Sequence, residues 1–179
     1  MITKAIVDED FVNYKKPSMF IAFPTCGWKC EKECGKRVCQ NSALAEAPNI
    51  DIDVEAIVDR YINNPITRAV VIGGLEPFDS FAYLIDLVMA IRKETDDDIV
   101  IYTGYTKDEL IKGKYMKLYI DLSGSGSTKM KLNFYNYLKN NVKNIIIKYG
   151  RYVPGQQQHY DDVLGVYLAS NNQYAEKIS

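Results

Sequence analysis

The sequence predicts a single α/β domain over residues 1–179, built as a partial (β/α) barrel of parallel strands. Short apolar runs, each stopped by proline or by a glycine-containing turn, have the length and composition of buried strands. The segments between these runs place apolar residues at helical spacing. Strands and helices in alternation favour parallel βαβ units with right-handed crossovers.

Four runs are predicted to be the strands of this sheet: 19–23, 69–72, 99–102 and 144–148. They are continuous apolar stretches, which is typical of strands that are covered on both faces of a parallel sheet. The carboxyl ends of parallel strands meet at one edge of the sheet, and sites gather there. The residues that follow these runs are therefore expected to form one site.

Three helices are predicted between the strands. The first begins at Asp53 and ends before Pro65, which cannot continue a helix. The second has Ser80 as its expected N-cap. The third begins at Thr106, which is expected to form a capping box with Glu109 three residues later.

The region 112–141 has a different composition. A strand is predicted over 115–122, a flexible Ser-Gly turn over 123–127, and a helix over 132–138. We expect this region to be an insertion or variable excursion on the surface, with little functional information.

Composition excludes several classes of protein. The net charge is −1, from 22 basic and 23 acidic residues, which is not the basic footprint of a nucleic-acid binder. No stretch approaches the roughly 20 apolar residues of a membrane span, and the N-terminus lacks the pattern of a signal peptide. The expected location is cytoplasmic, where clustered cysteines indicate metal or redox chemistry rather than disulfides.

All four cysteines lie in one segment after the first predicted strand: Cys26, Cys30, Cys34 and Cys39. A structural zinc site usually pairs two short C-x2-4-C knuckles, and these spacings do not make two such pairs. A ferredoxin-like electron carrier has two residues between successive cysteines, which this segment lacks. A four-iron cluster with three protein thiolates is the third possibility. Spacing alone leaves all three open.

The strand and cysteine segment 20–30, with Cys39-Gln40-Asn41 after it, resemble the cluster loop of radical S-adenosylmethionine enzymes, whose signature is C-x3-C-x2-C. Three further pieces follow in that family's order. They are a Gly-Gly turn in 70–78, a strand end in 101–106, and a last strand and tail in 148–152 and 168–173. From about residue 20 to 173, apart from 112–141, the chain is similar to the activating proteins of anaerobic ribonucleotide reductases.

The resemblance implies that Cys26, Cys30 and Cys39 hold a [4Fe-4S] cluster. Eight residues separate Cys30 from Cys39, where the family has two between its second and third cysteines. The apolar Val38 before Cys39, and the Gln-Asn pair after it, favour Cys39 as the third ligand. Cys34 is the alternative ligand.

The resemblance also implies a site for S-adenosylmethionine at the strand ends. The residues expected to bind this cofactor are Gly73, Gly74, Glu76, Pro77, Thr103 and Gly104. Glu76 would accept a charge-assisted hydrogen bond from the cofactor's ammonium group. Leu75 is a departure, because it gives G-G-x-E-P where many members read G-G-E-P.

The resemblance implies an enzyme that reductively cleaves S-adenosylmethionine to a 5′-deoxyadenosyl radical. The expected partners are a glycyl radical enzyme, such as an anaerobic ribonucleotide reductase, and an electron donor such as flavodoxin or ferredoxin. One alternative is a small-molecule substrate, as in the deazaguanine-forming relatives. The other is an iron–sulfur or zinc module without catalysis.

Overall fold

The computed structural model describes residues 1–112, 118–121 and 129–179, with 118–121 and 129–132 described by their backbone alone. In chain order the elements are β1 (Ile2–Thr3), β2 (Ala5–Asp10), β3 (Ser18–Phe23), α1 (Lys29–Cys34), α2 (Ser42–Glu46), β4 (Ile50–Asp51), α3 (Val54–Ile62), β5 (Ala69–Gly74), a 3-10 turn (Pro77–Ser80), α4 (Phe81–Glu94), β6 (Asp98–Tyr102), α5 (Lys107–Lys112), β7 (Leu118–Asp121), β8 (Lys129–Leu132), α6 (Phe134–Asn141), β9 (Ile145–Tyr149), β10 (His159–Asp161), β11 (Val166–Leu168) and β12 (Tyr174–Lys177).

The central sheet has six strands in the order β12-β9-β6-β5-β3-β2. Its four inner strands, β3, β5, β6 and β9, are parallel, and they are the four that the sequence predicts. The edge strands β2 and β12 pair antiparallel to their neighbours. The prediction of an α/β fold with a largely parallel sheet is confirmed. The described residues form an open sheet and show no closed barrel.

Both faces of the sheet are covered, which explains the uninterrupted apolar runs. One face packs against the helices, with Ile21, Ile72 and Ile101 fully buried in the main core. The other face carries Val71 and Val100 into a second cluster, where the β2–β3 loop and the β10–β11 hairpin supply Tyr14, Leu164 and Leu168. This second face has the thinner cover, and the cavity described below lies against it.

Helices α3, α4 and α5 begin where the sequence predicts, after Asp53, Ser80 and Thr106. At α5, the backbone N–H of Thr106 donates to Glu109 Oε2 at 2.8 Å and that of Glu109 donates to Thr106 Oγ1 at 3.2 Å, which confirms the capping box. Ser80 stands at the N-cap of α4 but makes no side-chain cap. Its hydroxyl pairs instead with Thr25 Oγ1 at 2.5 Å, in the segment that leads to the cysteines.

Part of the region 112–141 belongs to the core. Strands β7 and β8 pair antiparallel as a hairpin. Helix α6 buries Phe134 and Leu138 completely, so this segment is not the surface excursion that the sequence predicts. The helix begins at Phe134, after the expected residue, because the side chain of Asn133 accepts a hydrogen bond from the backbone of Asn136 and caps it. The predicted turn over 123–127 lies outside the described residues.

None of the helices that the structure describes has the length and apolar character needed to span a membrane.

Candidate functional site

The cysteine segment follows β3 directly and lies at the carboxyl ends of the parallel strands. Cys26, Cys30 and Cys39 all line one cavity of about 310 Å³, and Cys34 is not among its lining residues. All four cysteines are free thiols of intermediate exposure. The structure therefore gathers the three cysteines that the sequence favours as ligands around one space.

The thiols of the cavity have the chemistry that an iron–sulfur cluster requires. Thiolates are soft ligands, and in a four-iron cluster each binds a different iron atom. Zinc also accepts thiolates, about 2.3 Å from the ion. In the described part of the chain, no group of three or more His, Cys, Asp or Glu side chains is placed to hold a metal ion. The three thiols that line one cavity fit a cluster by their chemistry.

The glycine pair at the end of β5 forms the neighbouring wall of the cavity. Gly74 has φ +88°, and a Cβ there would lie 2.8 Å from the Cα of Ala22 and the backbone nitrogen of Phe23, so only glycine fits against β3. The carbonyl of Gly74 accepts a hydrogen bond from Asn41 Nδ2 at 2.7 Å. This bond attaches the chain just after Cys39 to the strand end.

Glu76 joins two of the predicted strand ends. Its side chain is buried and accepts hydrogen bonds from Thr103 Oγ1 at 2.8 Å, from the backbone N–H of Gly104 at 2.8 Å and from that of Phe78 at 3.1 Å. Burial outweighs these bonds and raises the pKa of Glu76 to about 7. Three predicted residues thus meet in one hydrogen-bonded unit, and all three line the cavity.

The remaining predicted cofactor residue, Pro77, lies one position further along the chain. It is buried and begins the 3-10 turn that Glu76 caps. It is not among the residues that line the cavity. Pro77 therefore contributes to the shape of the turn and not to the wall of the cavity.

Asp79 holds the cysteine segment and was missed by sequence reasoning. Its Oδ2 accepts from the backbone N–H of Gly27 at 2.6 Å, and its Oδ1 accepts from the hydroxyl of Tyr105 at 2.6 Å. Lys29 Nζ lies 3.7 Å from the centre of the Tyr105 ring, a cation–π contact. One carboxylate therefore connects the loop of Cys26 to the turn after β6. The sequence held one indication of this role, because Asp79 lies in the turn that follows Glu76.

Arg151, just after β9, makes the corresponding connection on the other side. Its guanidinium donates two hydrogen bonds to Glu109, at 3.0 and 2.7 Å, and its Nε lies 3.2 Å from Glu33 Oε1 on α1. This bidentate pairing lowers the pKa of Glu109 to about 2. Arg151 also lines the cavity. It joins α1 and α5 across the strand ends, which sequence spacing could not show.

The cavity extends from the cysteines along the thinly covered face of the sheet. Here it is lined by Phe20, Tyr102 and Lys148 from the strands, and by residues of the β2–β3 loop and β11. The hydroxyl of Tyr102 donates to the carbonyl of Asn13 at 2.5 Å, which holds the loop over this face. Lys148 is a buried charge within an otherwise apolar strand, a signal that the sequence already contained.

Three free cysteines line a cavity at the ends of the parallel strands and supply soft ligands for a metal centre. The comparison with known families agrees. The model of the family described as "4Fe-4S single cluster domain" matches residues 18–143, from β3 through α6, and the chain belongs to this family. The family is associated with radical S-adenosylmethionine proteins. No curated protein and no solved structure matches the chain.

Proposed function

We propose that the protein is a radical S-adenosylmethionine enzyme, with a [4Fe-4S] cluster held by Cys26, Cys30 and Cys39. One observation carries the proposal. These three cysteines line the same cavity as the glycine turn and strand end that resemble the family's cofactor site. Cys34 lies at the end of α1, outside the lining, and is the residue we expect to be dispensable.

A cluster held by Cys26, Cys30 and Cys39 would, when bound, supply the electron for reductive cleavage of S-adenosylmethionine. The chain's own part is to bind and orient. Gly73 and Gly74 line the cavity without side chains, so a ligand can approach their backbone closely. Glu76 has accepted three of the roughly four hydrogen bonds that a carboxylate accepts, which leaves it room for the cofactor's ammonium.

Water exclusion is the second contribution of the chain. The β2–β3 loop and the β10–β11 hairpin pack on one another, since the backbone N–H of Lys15 donates to the carbonyl of Leu164 at 2.7 Å. Together they cover the cavity on the face opposite the helices. A reactive radical would be shielded there from solvent.

We further propose that the radical abstracts a hydrogen atom from a backbone glycine of a partner enzyme of the anaerobic ribonucleotide reductase type. This finer step is supported by the sequence resemblance over the strand ends and the tail. Flavodoxin or ferredoxin is the proposed electron donor.

Anaerobic reconstitution with iron and sulfide, followed by addition of dithionite and S-adenosylmethionine, tests the core of the proposal. We expect a brown protein that releases 5′-deoxyadenosine, no product from Cys26→Ala, and product from Cys34→Ala. Stoichiometric zinc without a chromophore, or a cluster that never yields 5′-deoxyadenosine, would refute it. The activase step predicts a glycyl-radical doublet in the electron paramagnetic resonance spectrum once the partner enzyme is added. A normal yield of 5′-deoxyadenosine without that doublet would instead indicate a small-molecule substrate.

A further inference from the structure

The ammonium group of Lys148 has no role in the reaction proposed above. Lys148 lies on β9 with 7% of its surface exposed, and it lines the cavity. Its Nζ donates to the carbonyl of Gly150 at 3.0 Å. An ammonium has three N–H donors. Among the described residues, no carboxylate lies within 4.0 Å of this nitrogen.

The surroundings leave this charge largely uncompensated. Glu76 is the nearby acid, but its carboxylate lies more than 4.0 Å from this nitrogen and is directed to Thr103 and Gly104 by hydrogen bonds. The ring of Tyr102 has its centre 5.8 Å from Lys148 Nζ, at the outer limit of a cation–π contact. Burying a cation without a paired anion is costly, and proteins rarely do so without a reason. Burial lowers the pKa of Lys148 to about 8, so the group is still mostly protonated at neutral pH.

Lys148 lies in the same row across the sheet as the glycine turn. Lys148 pairs with Tyr102 across the sheet, and Ile101 pairs with Ile72, which places Gly73 beside Tyr102 in the same transverse row. Neighbouring strands are about 4.8 Å apart, so the backbones of Gly73 and Lys148 are roughly 10 Å apart. A single molecule bound at the glycine turn can therefore extend to the ammonium of Lys148.

We propose that Lys148 is an anion-binding residue of this cavity and that it binds a carboxylate of the molecule held there. One source of that group rests on the function proposed above, namely the methionyl carboxylate of S-adenosylmethionine. The other source is a carboxylate on a separate organic substrate. Both present the same chemistry, a pair of anionic oxygens that accept the free N–H groups of Lys148.

Equilibrium dialysis on anaerobically reconstituted protein tests the first source. The two probes are S-adenosylmethionine and 5′-methylthioadenosine, which keeps the adenosine but lacks the carboxylate. Lys148→Met should weaken binding of the first by about ten- to a hundredfold and leave the second unchanged. Lys143→Met is the matched control, because Lys143 is exposed and lies just before the opposite end of β9.

Nuclear magnetic resonance of protein labelled with ¹³C at lysine Cε tests the second source without relying on a variant's affinity. The Lys148 signal is assigned by its absence from Lys148→Met, or from Lys148→Arg if the methionine variant does not fold. Acetate is then titrated into wild-type protein saturated with S-adenosylmethionine. A saturable shift confined to the Lys148 signal would assign the site to a substrate carboxylate.

The possible results separate this inference from the proposed function. Cofactor binding that depends on Lys148 supports the first source, and an acetate-induced shift supports the second. If S-adenosylmethionine does not bind wild-type protein but acetate alone still shifts Lys148, the proposed function fails and the anion site stands. If the cofactor binds equally to wild type and to Lys148→Met, and acetate leaves the Lys148 signal in place, the inference is wrong.

Discussion

The cysteine segment and the glycine turn, which form adjacent walls of the same cavity, are built in different ways. Helices α1 and α2, both of which the structure describes in full, bury none of their side chains. The turn after β5 buries Glu76, Pro77, Phe78 and Ser80. One wall is a part of the core, and the other is a surface segment placed against it.

Three hydrogen bonds join the turn after β5 to the cysteine segment. Asp79 binds the backbone of Gly27, Gly74 accepts from Asn41, and the carbonyl of Thr25 accepts from the backbone N–H of Glu76 at 2.8 Å. The turn is fixed by burial and by its own hydrogen bonds, whereas the cysteine segment is attached at only a few points. Bound metal would therefore complete the fold of the cysteine segment, as ligation does in small metal-binding domains.

We expect the largest effect from substitution of the cysteine ligands, which lie on the surface wall of the cavity. Single alanine substitutions at Cys26, Cys30 and Cys39 should abolish the cluster absorption, because each removes one thiolate ligand. Cys34→Ala is the internal control and should retain iron and sulfide. Metal analysis and visible spectra of anaerobically purified variants are the measurement. Loss of iron from Cys34→Ala with retention in Cys39→Ala would reverse the ligand assignment.

The pH dependence of the free energy of unfolding tests the burial of Glu76 in the glycine turn. It is measured on metal-free protein, so that the cysteine segment does not contribute a bound cluster. The pKa of Glu76 is raised from 4.5 to about 7 in the folded state, so the folded state binds more protons than the unfolded state between these values. Stability should therefore fall as pH rises through this window, by on the order of 3 kcal/mol from this group. Urea unfolding at several pH values measures it.

Two variants control this measurement. Glu76→Gln should flatten the slope between pH 4.5 and 7. Glu109→Gln should leave that slope alone, because Arg151 lowers the pKa of Glu109 to about 2, and its contribution is lost only as pH falls below 4.5. An equal slope in wild type and Glu76→Gln would show that Glu76 titrates normally.

Cofactor affinity tests whether the turn also acts on the ligand. Glu76→Gln should weaken S-adenosylmethionine binding by about ten- to a hundredfold through loss of one charge-assisted hydrogen bond, and should leave the cluster spectrum intact. Calorimetry on reconstituted protein measures it. Unchanged affinity would mean that Glu76 only joins the strand ends, and that Leu75 has turned its carboxylate away from the cofactor.

The smallest expected effect is at the anchor between the two walls. Asp79→Asn weakens the bonds to Gly27 and Tyr105, and we expect about a fivefold faster loss of cluster to a chelator, equivalent to about 1 kcal/mol. Asp86→Asn is the control, because Asp86 is exposed on α4. The rate is followed by the decay of visible absorption. Identical decay in the two variants would show that this anchor does not hold the loop.

The inner strands and the capping box were predictable because each depends on residues close together in the chain. Continuous apolar runs identify strands buried on both faces, and Thr106 with Glu109 satisfies the helix start locally. Helix α6 was predicted to lie at the surface, although Phe134 is completely buried. Its burial depends on packing against Phe78 and Phe81 in distant segments, which no local pattern contains.

The amino-acid sequence was sufficient to predict which residues supply sulfur, where glycines end the second inner strand, and that four strand ends share one edge. Which of these residues meet could be seen only in the folded chain. The fold places Cys39 on the wall of the cavity and Cys34 outside it, and it joins Glu76 to Thr103 by a hydrogen bond. It also buries the ammonium of Lys148 without a carboxylate partner among the described residues. The physical reason is that hydrogen bonds and charge pairing act over a few ångströms in space, between residues that are far apart in the chain.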